Sequence, residues 1–126
     1  MIYGIGTDII AVERFSKYTL ESAFIKKYFT PGEIEYCRQY VKWQERIAGF
    51  FAAKEAFSKA LKTGIRGEIL LNRIWVSHDS NGAPYLDFDE PIKMILNEKK
   101  ITGIHLSISH SHDTAIAFVV LEHHTS

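Results

Sequence analysis

Apolar positions change their spacing near the middle of the chain. In the first half they recur at helical intervals, and in the second they alternate or run together as in strands. Residues 2–6 predict a short buried strand, followed by a bend in "GIGTD" that ends in Thr7 and Asp8. The stretches 11–18 ("AVERFSKY") and 21–28 ("ESAFIKKY") predict two short helices. Thr30-Pro31-Gly32-Glu33 is a capping box: Thr30 caps, Pro31 takes the first helical position, and Glu33 reaches back. Its helix is expected to run to about Tyr40. The longest helix is expected over 44–62, with Gly64 placed for a left-handed C-terminal cap.

In the second half "NRIWVSH" and "APYLDFD" flank "DSNG", and Asn81-Gly82 is a favoured dipeptide for a tight hairpin turn. A short helix follows, with Asp89 as its cap and Pro91 near its first turn, and ends before Gly103. Strands at 104–109 and 115–122, joined by "HSHDT", complete the pattern. The last strand is apolar on both faces at Phe118, Val119, Val120 and Leu121, which calls for cover on both sides. In so small a domain the second cover is expected from another subunit. The class is α+β, helices first and a mostly antiparallel sheet after them, in a single domain over residues 1–126.

Composition adds a few bounds. The chain has 126 residues, 46% of them apolar, enough for one core. Fifteen basic residues balance fifteen acidic ones, so there is no global attraction for nucleic acid or an anionic membrane. The single cysteine, Cys37, has no internal disulfide partner. The N-terminus lacks the basic flank and cleavage site of a signal peptide, and no apolar run approaches the roughly 18 residues of a membrane span. A soluble, intracellular protein is expected.

The chemistry begins inside the long helix. "FFAAKEAFSKALKTG" is apolar nearly all round, as a buried helix would be, yet carries Lys54, Glu55, Ser58 and Lys59. Glu55 and Lys59, four residues apart, share one face. They read either as a surface ion pair or as groups facing a metal or a phosphate. Asp8 reads either as a turn cap or as a second carboxylate for a hard cation such as Mg²⁺, which takes one or two carboxylates, waters and substrate phosphates. "SISHSHDTA", with Ser109, His110, His112 and Asp113, reads as a polar hairpin loop, as a phosphate or nucleotide contact, or as a zinc pair lacking further ligands. The terminal histidines at 123–124 read as a solvated tail. Arg14, Lys17, Tyr18, Phe24, Ile25, Lys26 and Lys27 form either an ordinary amphipathic surface or a docking face for an acidic protein. No GxxxxGK[ST] occurs, which disfavours a P-loop enzyme.

"GIGTDI", "FAAKEAFSKALKTGI", "NGAP" and "SISHS" occur in this order and at a spacing that resembles the holo-[acyl-carrier-protein] synthase family, the short bacterial type of 4′-phosphopantetheinyl transferase. The resemblance covers essentially the whole chain. It implies that family's fold: N-terminal helices around a long central helix, plus a small, mostly antiparallel sheet, assembling as a trimer with active sites between subunits. It also implies a cytoplasmic enzyme of fatty acid biosynthesis that moves the 4′-phosphopantetheine arm of coenzyme A to a serine of apo acyl carrier protein, releasing adenosine 3′,5′-bisphosphate. By the resemblance, Asp8 and Glu55 bind Mg²⁺ and Lys59 lies by the pyrophosphate. Asn81, Gly82 and Pro84 lie near the adenine, and His110, with Ser109 beside it, reaches the adenosine end of coenzyme A across the interface. Ser58 sits on the edge of the site. The first helices, with Arg14, Lys17, Tyr18, Phe24 and Lys26, carry the carrier-protein contacts. One departure stands out: members commonly read "RFAAKEA", and Phe50 occupies the place of an arginine that often contacts coenzyme A phosphate. Arg46, one turn earlier, is the candidate substitute. The competing class is a non-catalytic nucleotide-binding or scaffold oligomer that has kept this fold, for which Phe50 is the only feature to cite.

Overall fold

A computed structural model describes residues 1–62 and 71–124. The N-terminal strand β1 spans Ile2–Ala11, and a 3-10 turn at Val12–Phe15 follows. Helices α1 (Ala23–Tyr28), α2 (Pro31–Arg38) and α3 (Trp43–Leu61) come next. A second 3-10 turn, Leu71–Arg73, leads into β2 (Ile74–His78) and β3 (Pro84–Phe88). Helix α4 (Glu90–Glu98) and strands β4 (Ile101–His110) and β5 (Thr114–His123) close the order. β1, β5 and β4 form one antiparallel sheet with β5 central, and β2 and β3 form a separate hairpin. The α+β class is as expected. Among the described residues no helix is long and apolar enough to cross a membrane.

Helix α3 organises the core. Ala48, Ala52, Ala53, Ala56 and Ala60 are strong helix formers and all are fully buried. Their small side chains let α3 lie close on β1 and β5. The glycines of "GIGTD" serve this contact: a Cβ on Gly4 would stand 2.1 Å from the Ala60 carbonyl oxygen, and one on Gly6 would stand 1.9 Å from that of Ala56. The expected bend is therefore absent. β1 runs straight through Thr7 and Asp8 to Ala11, with glycines where another backbone approaches.

Other boundaries shift for similar local reasons. The expected helix at 11–18 shrinks to the 3-10 turn, because β1 extends through Ala11 to pair with Thr114. The capping box of α2 is present: Thr30 Oγ1 accepts from the Glu33 amide at 3.2 Å, and Glu33 Oε1 accepts from the Thr30 amide at 3.0 Å. Asp89 stands at the start of α4, but its carboxylate is drawn to Arg73 at 2.9 Å and makes no cap bond. The hairpin does not close on a two-residue turn. β2 and β3 pair up to His78 and Pro84, and Asp79 organises residues 79–83 by accepting from the amides of Asn81 and Ala83. Gly82 takes the left-handed position there, with φ +85°. The left-handed residue ending α3 is Lys62, φ 69°, and Gly64 lies outside the described residues. His123 belongs to β5 and packs edge-on against Tyr3 rather than forming a tail.

The sheet has one covered face. Ala115, Ala117, Val119 and Leu121 of β5 are buried on the α3 side. On the other face Ile9 is 66% exposed, Phe118 46%, and Ile5 and Ile116 are exposed beside them. Within this chain that apolar surface has no cover among the described residues. Cys37 is fully buried, and burial pushes its thiol up to about 12, which leaves it protonated and unreactive at neutral pH.

Candidate functional site

Strand alternation places Asp8 in the row of Gly4, Gly6 and Ile10, facing α3. β1 descends α3 from Ala60 at Gly4 to Ala56 at Gly6. Two further strand residues cover about 6.8 Å, a little over one helical turn, which brings Asp8 alongside the Ala52–Ala56 turn of α3, the turn that carries Glu55. Its side chain is 15% exposed, and Oδ1 accepts from Lys59 Nζ at 3.0 Å. The same ammonium donates to the Thr7 carbonyl at 2.9 Å. The other carboxylate oxygen, Oδ2, is buried and has no hydrogen-bond partner among the described residues. Glu55 is half-buried one turn before Lys59. A buried carboxylate oxygen left without a donor normally costs about 1–3 kcal/mol or more, and a hard cation is the natural group to relieve it. Asp8 and Glu55, both oxygen donors, fit Mg²⁺, which needs few protein ligands. Ser58 turns its hydroxyl to the Lys54 carbonyl at 3.1 Å, beside this site rather than in it.

A second group gathers at the other end of α3. His110 Nδ1 lies 3.0 Å from Glu45 Oε1, their side chains 29% and 13% exposed. Glu45 precedes Glu55 by about 15 Å of helix axis, so one chain does not bring His110 onto the carboxylates. Ser109 is exposed beside it. Arg46 lies flat over the Tyr40 ring, 3.6 Å from its centroid. Phe50 is 4% exposed and packs against Tyr36 and His78, whose own rings stack 4.1 Å apart. The departure at Phe50 is thus an aromatic packing site, and Arg46 is the cation one turn away. Burial holds His78 below the ordinary histidine value, with Asp79 opposing and Arg46 reinforcing, so its ring is neutral at pH 7. The loop beyond His78 exposes Asn81 and Gly82 and leads into half-buried Pro84. His112 pairs with Asp113 on the surface, and both line the same cavity as Glu45, the partner of His110.

The third group is the first helices. Tyr18 and Phe24 stack with centroids 4.4 Å apart and an interplanar angle of 7°. Phe24 meets Tyr28 edge-on. Lys17 lies over Tyr18, Lys27 over Tyr28, and the exposed Arg14 over Phe51. Lys26 is exposed on α1, whereas Ile25 is fully buried and belongs to the core. Of the residues read from the sequence as a basic and aromatic scatter, Arg14, Lys17, Tyr18, Phe24 and Lys27 are joined by ring contacts running through Tyr28 and Phe51. Glu45, Tyr36 and His78 escaped sequence reading, since each acquires meaning from a partner distant in the chain, and Tyr40 escaped it although Arg46 is only six residues on.

Asp8 on β1 thus stands beside the alanine-rich helix that carries Glu55 and Lys59, in a chain with many relatives. Residues 4–119 match the model of the 4′-phosphopantetheinyl transferase superfamily. The chain is 43% identical over 122 residues to a holo-[acyl-carrier-protein] synthase of Caldicellulosiruptor saccharolyticus, covering 97% of this chain and 98% of that one. It is similar in structure to the holo-[acyl-carrier-protein] synthase of Neisseria meningitidis, with TM-score 0.85, 40% identity, and 97% and 99% of the two chains covered. The Bacillus anthracis holo-(acyl-carrier-protein) synthase in complex with CoA (3′,5′-ADP) gives TM-score 0.79 and 38% identity over 98% and 99%. The chain belongs to the 4′-phosphopantetheinyl transferase superfamily, within its holo-[acyl-carrier-protein] synthase family.

Proposed function

We propose that this chain, as one catalytic domain over residues 1–126, transfers the 4′-phosphopantetheine group of coenzyme A to a serine of apo acyl carrier protein. The observation that carries the reading is Asp8: a half-buried carboxylate, one oxygen on Lys59 and the other buried and unpartnered among the described residues, beside the helix that carries Glu55. The carrier serine oxygen forms a new bond to the phosphorus bearing pantetheine, and the bond from that phosphorus to the bridging oxygen breaks. Adenosine 3′,5′-bisphosphate leaves with the bridging oxygen. Asp8 and Glu55 would hold Mg²⁺, which when bound supplies positive charge against the pyrophosphate oxygens. Lys59 stabilises the leaving phosphate. Glu55 receives the serine proton, directly or through water. Arg46, Asn81, Gly82, Pro84, Ser109 and His110 serve the nucleotide end of coenzyme A. Incubation with coenzyme A, Mg²⁺ and apo carrier should add the phosphopantetheine mass to the carrier serine. A carrier of unchanged mass overturns the reading.

The uncovered apolar face of the β1-β5-β4 sheet supports a homotrimer in which a second copy supplies the missing cover. The separation of His110 from Asp8 within one chain fits active sites shared between subunits. Ile9→Lys with Phe118→Glu is expected to yield monomers by sedimentation, and an unchanged mass would remove this face from the interface. Acyl carrier protein docks on Arg14, Lys17, Tyr18, Phe24 and Lys26, cations steering and rings anchoring. Reversing Arg14 and Lys26 to Glu should raise the carrier KM by about tenfold or more at low salt, leaving the coenzyme A KM within about twofold. An unchanged carrier KM would count against this face. The enzyme is placed in the cytoplasm, in support of fatty acid biosynthesis, with no nucleic-acid or membrane partner.

A further inference from the structure

Lys54 is fully buried in the middle of α3, next to Glu55 in sequence and about 100° from it around the helix. Its ammonium donates to the Tyr28 carbonyl at the end of α1 at 2.7 Å, and to Glu33 Oε1 in α2 at 2.8 Å. A third bond, 2.7 Å long, reaches the Leu71 carbonyl at the entry to β2. Three acceptors require three N–H groups, so the side chain is an ammonium and not a neutral amine. Glu33 completes the set: Oε1 also accepts from the Thr30 amide, and Oε2 accepts from the Val76 amide of β2 at 2.9 Å. One ion pair thus ties α1, α2, α3, the approach to β2, and β2 itself.

Stability does not explain this pair. Desolvating two charges is costly, and an apolar pair of similar volume commonly does as well or better. Directional bonds do what apolar contacts cannot: they fix the rotation and height of one element against another. The elements fixed here are those the function uses. α1 carries the carrier-docking surface, β2 leads to the nucleotide loop, and α3 carries Glu55 and Lys59. We propose that Lys54 and Glu33 are positioning residues, whose buried pair sets α3 against the docking helices and the hairpin so that Glu55 meets both substrates in register. This inference rests on the transferase reading above.

The test uses the full chain and four variants: Lys54→Met, Glu33→Gln, the double variant, and Lys54→Arg as a control for charge without shape. Lys54→Met strands a buried carboxylate and should lower Tm by roughly 10 °C. The double variant removes both charges, keeps the capping box because a glutamine closes it as a glutamate does, and should regain most of that Tm. Its kcat, measured well below Tm and per folded molecule, should remain about tenfold or more below wild type, with the coenzyme A KM within about threefold. Glu33→Gln keeps one acceptor for Lys54 but sets an amide NH2 against the Val76 N–H and removes the counter-charge, so it loosens β2 and should lower kcat several-fold. Lys54→Arg keeps the charge but not the three-way geometry, and should lose kcat like Lys54→Met. Should the double variant fail to fold, Lys54→Arg and Lys54→Met measured at low temperature decide the matter. Wild-type kcat per folded molecule in the Lys54 variants overturns the inference while leaving the transferase reading intact. Absence of transfer by the wild-type chain overturns both.

Discussion

Asp8→Asn and Glu55→Gln are each expected to cut Mg²⁺-dependent transfer by about 10³-fold, with the fold intact by circular dichroism. The size follows from what each carboxylate does. Asp8 sits on a strand whose glycines pack against the α3 backbone, its Oδ1 is held by Lys59, and Oδ2, without a partner among the described residues, is already desolvated. An amide keeps the shape but halves the acceptors and removes the charge a hard cation needs. It also leaves the Lys59 ammonium without its carboxylate. The measurement is the initial rate of phosphopantetheine incorporation, followed by mass, across a Mg²⁺ titration. If either variant transfers at near wild-type rate with the same Mg²⁺ dependence, that residue is not a metal carboxylate. Stability of Asp8→Asn should change little, because its salt bridge to the half-exposed Lys59 is screened by solvent.

The second large effect concerns folding. Gly6→Val is expected to destabilise the chain by about 3 kcal/mol or more, a large share of the roughly 5–15 kcal/mol that holds such a domain. The first added carbon would lie 1.9 Å from the Ala56 carbonyl oxygen and 2.9 Å from the Ala60 amide nitrogen, both of them backbone atoms that no rotamer can move. α3 would have to lift off the sheet, and with it the contact that aligns Asp8. Gly82→Ala is the internal control. It meets nothing within 4 Å, and its positive φ should cost only about 1 kcal/mol. Urea unfolding of both variants gives the comparison. Equal losses would mean that Gly6 serves conformation and not close packing.

These glycines also mark what the sequence could and could not convey. Helix α3 and the capping box of α2 were legible because their determinants are local: alanine-rich periodicity in one, four consecutive residues in the other. "GIGTD" was not, because glycine signals a turn in isolation and a close backbone approach only when the partner is known. That partner lies far along the chain, in α3. Asn81-Gly82 signalled a tight turn, and Asp79 overrode it by capturing two amides from just upstream. At the site, Glu55 and Lys59 were readable as a pair on one helical face. The attachment of Lys59 to Asp8 was not, although Asp8 was readable as either a turn cap or a second carboxylate for a hard cation. Lys54 stood out as a charge in an apolar helix but showed no partner, since Glu33 lies in α2. His110 was singled out, but Glu45 gave no sign of holding it.

The row Gly4, Gly6, Asp8 has one more consequence, concerning how this gene can vary. Point substitutions on the outward-facing residues between them, such as Ile5, leave the row in place. Loss or gain of a single codon between Gly4 and Asp8 does not. In a strand, a one-residue slip exchanges the two faces. Such a deletion would turn the carboxylate to the open side of the sheet and drive a bulkier neighbour against α3. The segment should therefore tolerate exchange among apolar residues at Ile5 far better than any change in length.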